Sequence, residues 1–219
     1  MAIEAGFSFL TAGPAFRLKL PNDFDPLPDL SAPVTIKDGA GRRSFDFVAH
    51  TRDRGIEEAH RVLGTLTGRE GRTVQLIERL DSPRQWYLRW TLSSGALYTH
   101  LREEDGVDRA EPIAAALGIV ENGGAPFLLL ERPLGRGVLV DRPGYQELAT
   151  FWSTSRQWVV ELQRPGYLAR GKVMRLPDRE RAMHRAGASF GIEVTVYSGA
   201  DVQGGRRLTD AVVNSLAER

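Results

Sequence analysis

The strongest constraint on the fold lies in residues 85–101, QWYLRWTLSSGALYTHL. Trp86, Leu88, Trp90 and Leu92 alternate with Tyr87, Arg89 and Thr91. A period of two is the pattern of a strand with two unlike faces. Ser93, Ser94 and Gly95 then break the run, and Leu97, His100 and Leu101 resume it. Two extended runs joined by a short glycine-containing break form a β-hairpin. This one holds two of the four tryptophans. The expectation is that Trp86 and Trp90 enter a core. If either were exposed, the hairpin would be the leading interaction surface.

Around this hairpin the patterns are mixed. Phe16, Leu18 and Leu20 alternate with Arg17 and Lys19 as a half-buried strand, and Pro26, Pro28 and Pro33 mark residues 22–33 as an extended loop. Residues 34–36 and 44–49 read as a hairpin around Asp38, Gly39, Ala40 and Gly41. Residues 74–77 and 190–197 read as strands, and 127–130 with 138–140 as a buried strand pair. Five stretches read as helices. The first runs from an Asp53 N-cap through Ile56, Ala59, Val62 and Leu63 to a stop at Gly64. The second opens with Asp108, Glu111 and Pro112, and the third carries Tyr145, Leu148, Ala149 and Trp152. The fourth runs from Pro177 to Ala186, and the last carries Leu208, Ala211, Val212 and Leu216. The fold class expected is therefore α+β, a mostly antiparallel sheet with four to five packed helices. A single domain over residues 1–219 is expected, with a weak subdivision near 121–125. Two echoes occur, Arg-Pro-Gly-Tyr at 142–145 and 164–167 and Gln-Trp at 85–86 and 157–158, but they are too short to define a repeat.

Composition narrows the function classes. With 219 residues, 42% of them hydrophobic, the chain can bury a full core without staples. It has no cysteine, which removes disulfides, thiolate metal sites and cysteine nucleophiles, and suits a cytoplasmic protein. A net charge of +1, from 29 basic and 28 acidic residues, gives no global attraction to polyanions. No apolar run reaches the length of a membrane span.

No catalytic or cofactor motif stands out. His50, His60, His100 and His184 have no zinc-site spacing, so neither a metal nor a cofactor is expected. His100 lies near Glu103 and could act as a general base; the plainer reading is a surface histidine at a strand end. Ser198 follows a strand but lacks the surroundings of a nucleophile elbow and reads as a turn residue. Gly204 and Gly205 read as a flexible entry to the last helix. One local charge bias runs from Arg164 to Arg185. It contains Arg170, Lys172, Arg175, Arg179 and Arg181, with Tyr167 among them. Basic residues around an aromatic suit phosphate-rich partners, though a solvated, arginine-rich surface explains the same residues.

The two ends carry a resemblance. The strand Phe16 to Leu20 ending in Pro21, and a closing strand, polar loop and helix through LTDAVVNSL at 208–216, are similar to PsbP-like α/β/α sandwich proteins. The resemblance implies an antiparallel sheet flanked by helices and a binding role. It carries over no functional residue. The function expected is a non-enzymatic protein-interaction or assembly component, with a protein partner or a homo-oligomer. The binding residues expected are Trp86, Trp90, Arg170, Lys172, Arg175, Arg179 and Arg181, with no catalytic residue. The alternatives are an enzyme or small-ligand binder built around His100, and a nucleic-acid or polyanion binder using Arg164 to Arg185.

Overall fold

The computed structural model describes residues 1–11, 14–38, 41–50, 60–80, 84–101, 107–122, 125–130, 147–166, 173–176 and 183–219. In chain order the strands are β1 (Ala2–Ser8), β2 (Ala15–Pro21), β3 (Asp29–Asp38), β4 (Gly41–His50), β5 (His60–Thr67), β6 (Thr73–Arg79), β7 (Trp86–Leu92) and β8 (Gly95–Leu101). Helix α1 (Ala110–Ala116) precedes β9 (Leu117–Asn122), β10 (Ala125–Leu130), β11 (Glu147–Trp152) and β12 (Val159–Arg164). Then come β13 (Val173–Leu176), β14 (Met183–Gly187), β15 (Glu193–Tyr197), helix α2 (Val202–Ser215) and the short β16 (Ala217–Glu218). The chain groups into two compact units. The terminal unit is Met1–Phe9, Gly13–Leu30 and Gln146–Arg219; the central unit is Leu10–Ala12 and Ser31–Tyr145.

The central unit is built on a sheet in the order β3-β4-β8-β7-β6-β5. The tryptophan hairpin is β7 and β8, with Leu88 opposite Thr99 and Trp90 opposite Leu97. Its inner face buries Leu88, Trp90, Leu97 and Leu101 with Phe45 and Phe47. Each such aliphatic or phenyl side chain contributes about 1.5–3 kcal/mol when taken from water. Trp90 is 1% exposed, and its indole Nε1 has no hydrogen-bond partner among the described residues. An unmade bond of this kind costs about 1–3 kcal/mol, so the ring is held by apolar contact, including Phe47 at 6.1 Å between centroids.

Helix α1, AEPIAAA, has strong helix formers after a first turn that tolerates Pro112. It stops where Leu117 turns extended at φ −84°, ψ 114°. The helix lies over the turn at 69–71: a Cβ on Gly68 would sit 2.8 Å from Val74 Cγ2 and 3.3 Å from the Ala114 carbonyl. Glu121 on β9 ties the neighbouring loops together. It accepts from the Ser93 backbone N–H at 2.8 Å and from Arg72 at 3.3 Å. Burial raises the Glu121 pKa, but these donors outweigh it and hold the carboxyl below its usual range.

The terminal unit has a sheet β1-β2-β16 and a sheet whose strands run β13-β14-β15-β12-β11. Phe7, Phe9, Phe16 and Phe151 form an aromatic cluster, with centroids 5.3 to 6.0 Å apart. Arg164 lies over the Phe9 ring at 4.8 Å and donates to Glu147 at 2.9 Å. Helix α2 is capped by Asp201, whose carboxylate accepts from the Gly204 N–H at 2.8 Å. It buries Gly205, Leu208, Thr209 and Val212 and packs on β14 and β15.

The two units share one motif. In the central unit, β5 and β6 are joined through Gly68 to Arg72, with Glu70 at φ 57° and Gly71 at φ 76°. In the terminal unit, β14 and β15 are joined through Ala188 to Ile192, with Phe190 at φ 62° and Gly191 at φ 64°. Both turns close with the same pair of backbone bonds: Gly68 N to Arg72 O and Arg72 N to Arg69 O, against Ala188 N to Ile192 O and Ile192 N to Ser189 O. The next strand also matches. Leu76 and Ile77 face Leu88 and Tyr87, as Val196 and Tyr197 face Val160 and Val159. The Gln-Trp echo stands at the start of the facing strand, β7 or β12, in both units, each time after an arginine with positive φ, Arg84 at 70° and Arg156 at 58°. The places of β5, β6, β7 and β8 are thus taken by β14, β15, β12 and β11, a permuted chain order.

The expectation of four to five helices is corrected: the described residues contain two α-helices, α1 and α2, and are mostly antiparallel strand. Val62 and Leu63 lie in β5, Leu148, Ala149 and Trp152 in β11, and residues 183–186 in β14. The reason is local. In β11, Glu147, Ala149 and Phe151 point inward, so the true period is two, and the helical spacing of Leu148, Ala149 and Trp152 is coincidental. Residues 51–59, 143–146 and 177–182, the remaining parts of those three stretches, lie outside the described residues. Residues 127–130 pair with β9, with Phe127 facing Val120 and Leu128 facing Ile119, and 138–140 lie outside the described residues. Pro33 lies within β3 rather than a loop, and Phe190 sits in a turn ahead of β15.

Gly205 is fixed by packing rather than by flexibility. A Cβ there would lie 2.3 Å from Ser198 Oγ and 2.9 Å from His184 Nδ1, both in buried residues. Gly205→Ala is expected to lower unfolding free energy by about 1–2 kcal/mol in denaturant titrations, because overpacking exceeds the gain in helix propensity of about 1 kcal/mol.

Candidate interaction surface

The last strand of the central sheet departs from the rest. β5, HRVLGTLT, is paired on one side to β6, and no strand among the described residues pairs with its outer side. Its β-branched Val62, Thr65 and Thr67 favour extended backbone. None of its eight residues is buried. The register jumps from Val62 opposite Ile77 to Gly64 opposite Leu76, so Leu63 is an extra, bulged residue. Val62 and Leu63 are 56% and 43% exposed, and Leu80, just past β6, is 56% exposed.

An open edge presents unpaired backbone N–H and C=O groups and templates another strand. Such edges are blunted by lysine or other charges, by proline or by a bulge. β5 has no lysine or proline, and its bulge leaves Val62 and Leu63 exposed. Its one formal charge, Arg61, lies across to β6, where it donates to Glu78 at 2.8 Å. Glu78 also accepts from the Arg84 N–H at 3.1 Å. The Arg84 backbone donor, then Arg61, holds the Glu78 carboxyl below its usual range.

The corresponding strand of the terminal unit is not open. There β14 is paired on its outer side by β13, antiparallel, with Val173 opposite Ala186 and Leu176 opposite Met183. The shared turn sets the correspondence: Ala186 and Val194 occupy the places of Leu66 and Val74, and Met183 and Tyr197 those of Val62 and Ile77.

The residues expected as binding residues are scattered. Trp90 is in the core of the central unit, whereas Trp86 is half-buried and its indole bonds to Glu78. Arg175 lies in β13 opposite His184. Arg170, Lys172, Arg179 and Arg181 lie outside the described residues, as does Glu103. His100 is half-buried against Tyr87, ring centroids 4.9 Å apart. Tyr87 also meets His60, and His50 meets Tyr98, on the sheet face opposite Trp90. In the middle of that face Arg89 is buried, donating to Gln75 at 2.7 Å and Tyr98 at 3.2 Å. The sequence held a sign of this cluster in the alternation of Tyr87 with Arg89 and Tyr98 with His100. The exposed edge gave a misleading sign, since Val62 and Leu63 fit a helical stripe as well as a bulge.

A groove of about 450 Å³ in the terminal unit is lined by Glu4, Arg17, Lys19 and Asn214, and includes none of the expected residues. Among the described residues no cluster of histidine and carboxylate groups could hold a metal, and no helix is long and apolar enough to cross a membrane. No protein-family model matches the chain, and no curated protein matches it in sequence.

At the place that Arg89 holds, the terminal unit carries Glu161, which accepts from the Tyr197 hydroxyl at 3.1 Å. Burial pushes the Glu161 carboxyl up and, with the Glu161 charge, pushes the Tyr197 phenol up to about 12. A carboxyl raised in the folded state stabilises below its unfolded pKa, near 4.5, and loses that stabilisation as pH rises through the folded value. Glu161→Gln is therefore expected to be more stable than the wild type at pH 7 in denaturant titrations, with the difference shrinking towards pH 4.

Proposed function

We propose that this chain is a non-enzymatic protein-interaction or assembly component that engages its partner along the open edge of β5. A cytoplasmic setting is part of the proposal, in keeping with the absence of cysteine. The observation that carries the reading is the exposure of Val62 and Leu63 on a strand whose outer edge no strand among the described residues pairs. Addition of a strand to a sheet edge takes affinity from backbone bonds and specificity from alternate side chains. The bulge leaves two successive apolar side chains, Val62 and Leu63, exposed on this strand.

The test compares recovery of partners from the native host by the wild type and by a Val62→Lys, Leu63→Lys double variant. Both positions are exposed, so thermal unfolding should be unchanged to within about 0.5 kcal/mol per site. The expected outcome is a defined partner retained by the wild type and lost from the variant. Equal recovery by both proteins, or no partner with either, would overturn the reading.

A further inference from the structure

We propose that the terminal unit carries a site for a small organic phosphate. The guanidinium groups of Arg17 and Arg219 hold the phosphate, and the organic part lies in the groove between β2 and α2. The proposal is independent of the β5 edge. It begins with the alternation in β2. Phe16, Leu18 and Leu20 are buried, which commits Arg17 and Lys19 to the opposite, exposed face. Glu4 stands opposite Lys19, but opposite Arg17 stand only Gly6 on β1 and Ala217 on β16. Arg17 therefore has neither a carboxylate nor a bulky side chain directly beside it on either neighbouring strand.

Arg219 brings a second guanidinium to the same place. Its backbone N–H donates to the Ala15 carbonyl at 2.8 Å, which continues the β16–β2 pairing and puts Arg219 on the face of Ala217 and Arg17. Its side chain crosses β2 on that face, since Nη1 lies 3.5 Å from where a Cβ on Gly6 would sit. Neither guanidinium has a hydrogen bond or ion pair with a described residue, whereas Arg61, Arg72, Arg164 and Arg185 each pair with a glutamate. Two guanidinium forks side by side match the oxygens of one shared phosphate. With Lys19 they make three cations to one carboxylate, Glu4, among the described side chains on this face of β1, β2 and β16. That balance suits a dianion better than a monocarboxylate.

The groove has room for the rest of the ligand, because its volume of about 450 Å³ is that of a small-ligand site. Its far wall is the last part of α2, with Ala211, Asn214 and Ser215. The wall is fixed to the strand: the Lys19 N–H donates to Ser215 Oγ at 3.0 Å, and that hydroxyl donates to the Val212 carbonyl at 3.2 Å. The C-terminal end of a helix is its negative end. It directs the phosphate to Arg17 and a neutral, hydroxyl-bearing part to Asn214 and Glu4.

The test titrates glycerol 3-phosphate into the full chain by calorimetry at about pH 7.5, above the second phosphate pKa of about 6. Saturable one-to-one binding is expected, tighter than that of inorganic phosphate and at least tenfold tighter than that of acetate. Arg17→Ala and Arg219→Ala should each weaken it at least tenfold. Arg206→Ala, at an exposed residue that points away from Ala211 and Ser215 around α2, should leave it unchanged. Ala217→Leu should fill the groove and remove the advantage of glycerol 3-phosphate over inorganic phosphate; retained binding of inorganic phosphate shows that this variant is folded. No saturable binding by the wild type, equal weakening by Arg206→Ala, or inorganic phosphate binding as tightly as the ester overturns the inference. So does tighter binding of a single-stranded oligonucleotide that Arg17→Ala weakens, because the occupant is then a polyanion.

Discussion

The pairing of β7 with β6 in a single register is the constraint on which the central unit depends. Leu76 opposite Leu88 and Val74 opposite Trp90 put one apolar set on one face. Tyr87 and Arg89 are thereby committed to the other face, with Gln75 and Ile77. A slip of one residue would carry Trp90 out of the core and Arg89 into it. Arg89 resists such a slip by bonding to residues on both neighbouring strands, Gln75 on β6 and Tyr98 on β8. The price of a buried guanidinium is accepted because its donors are engaged.

The same register appears in the terminal unit with different side chains. Glu161 stands where Arg89 does, and Tyr197 where Ile77 does. What the two motifs preserve is backbone: a turn with two left-handed residues, a strand in fixed register, and an arginine of positive φ before Gln-Trp. The turn tolerates Glu70 and Phe190 in conformations that suit glycine, a strain of about 1 kcal/mol each. Hairpin closure and the packing of the flanking strands hold them there. The two motifs part at the outer edge, which β13 closes in one unit and nothing among the described residues closes in the other.

Much of the sheet was legible in the sequence. The hairpin at 85–101, the strand at 16–20 and the last helix all showed strong periods, and each is found. The two-residue echo Gln-Trp marked equivalent places, but two residues carry too little information to establish a repeat without the register. The stretches that misread were those where both periods fit. Leu148, Ala149 and Trp152 suit one helix face, and Ala149 with Phe151 suits one strand face; pairing with β12 decided for the strand. Val62 and Leu63 are adjacent apolar residues, which neither a regular strand nor a solvent edge predicts, and only the bulge accommodates them.

By itself, the sequence determined the alternating strands, the absence of any thiol chemistry and the near-balance of charge, because these depend on residue type and local period. The tertiary structure decided which strands pair, which face Trp90 takes and which strand comes last in its sheet among the described residues. Those outcomes depend on contacts between residues far apart in the chain: Trp90 is buried because Phe47 meets it, and Val62 is exposed because β5 comes last in its sheet. Order within a sheet leaves no local mark on a strand, so the surface proposed for recognition could be seen only once the strands were in place.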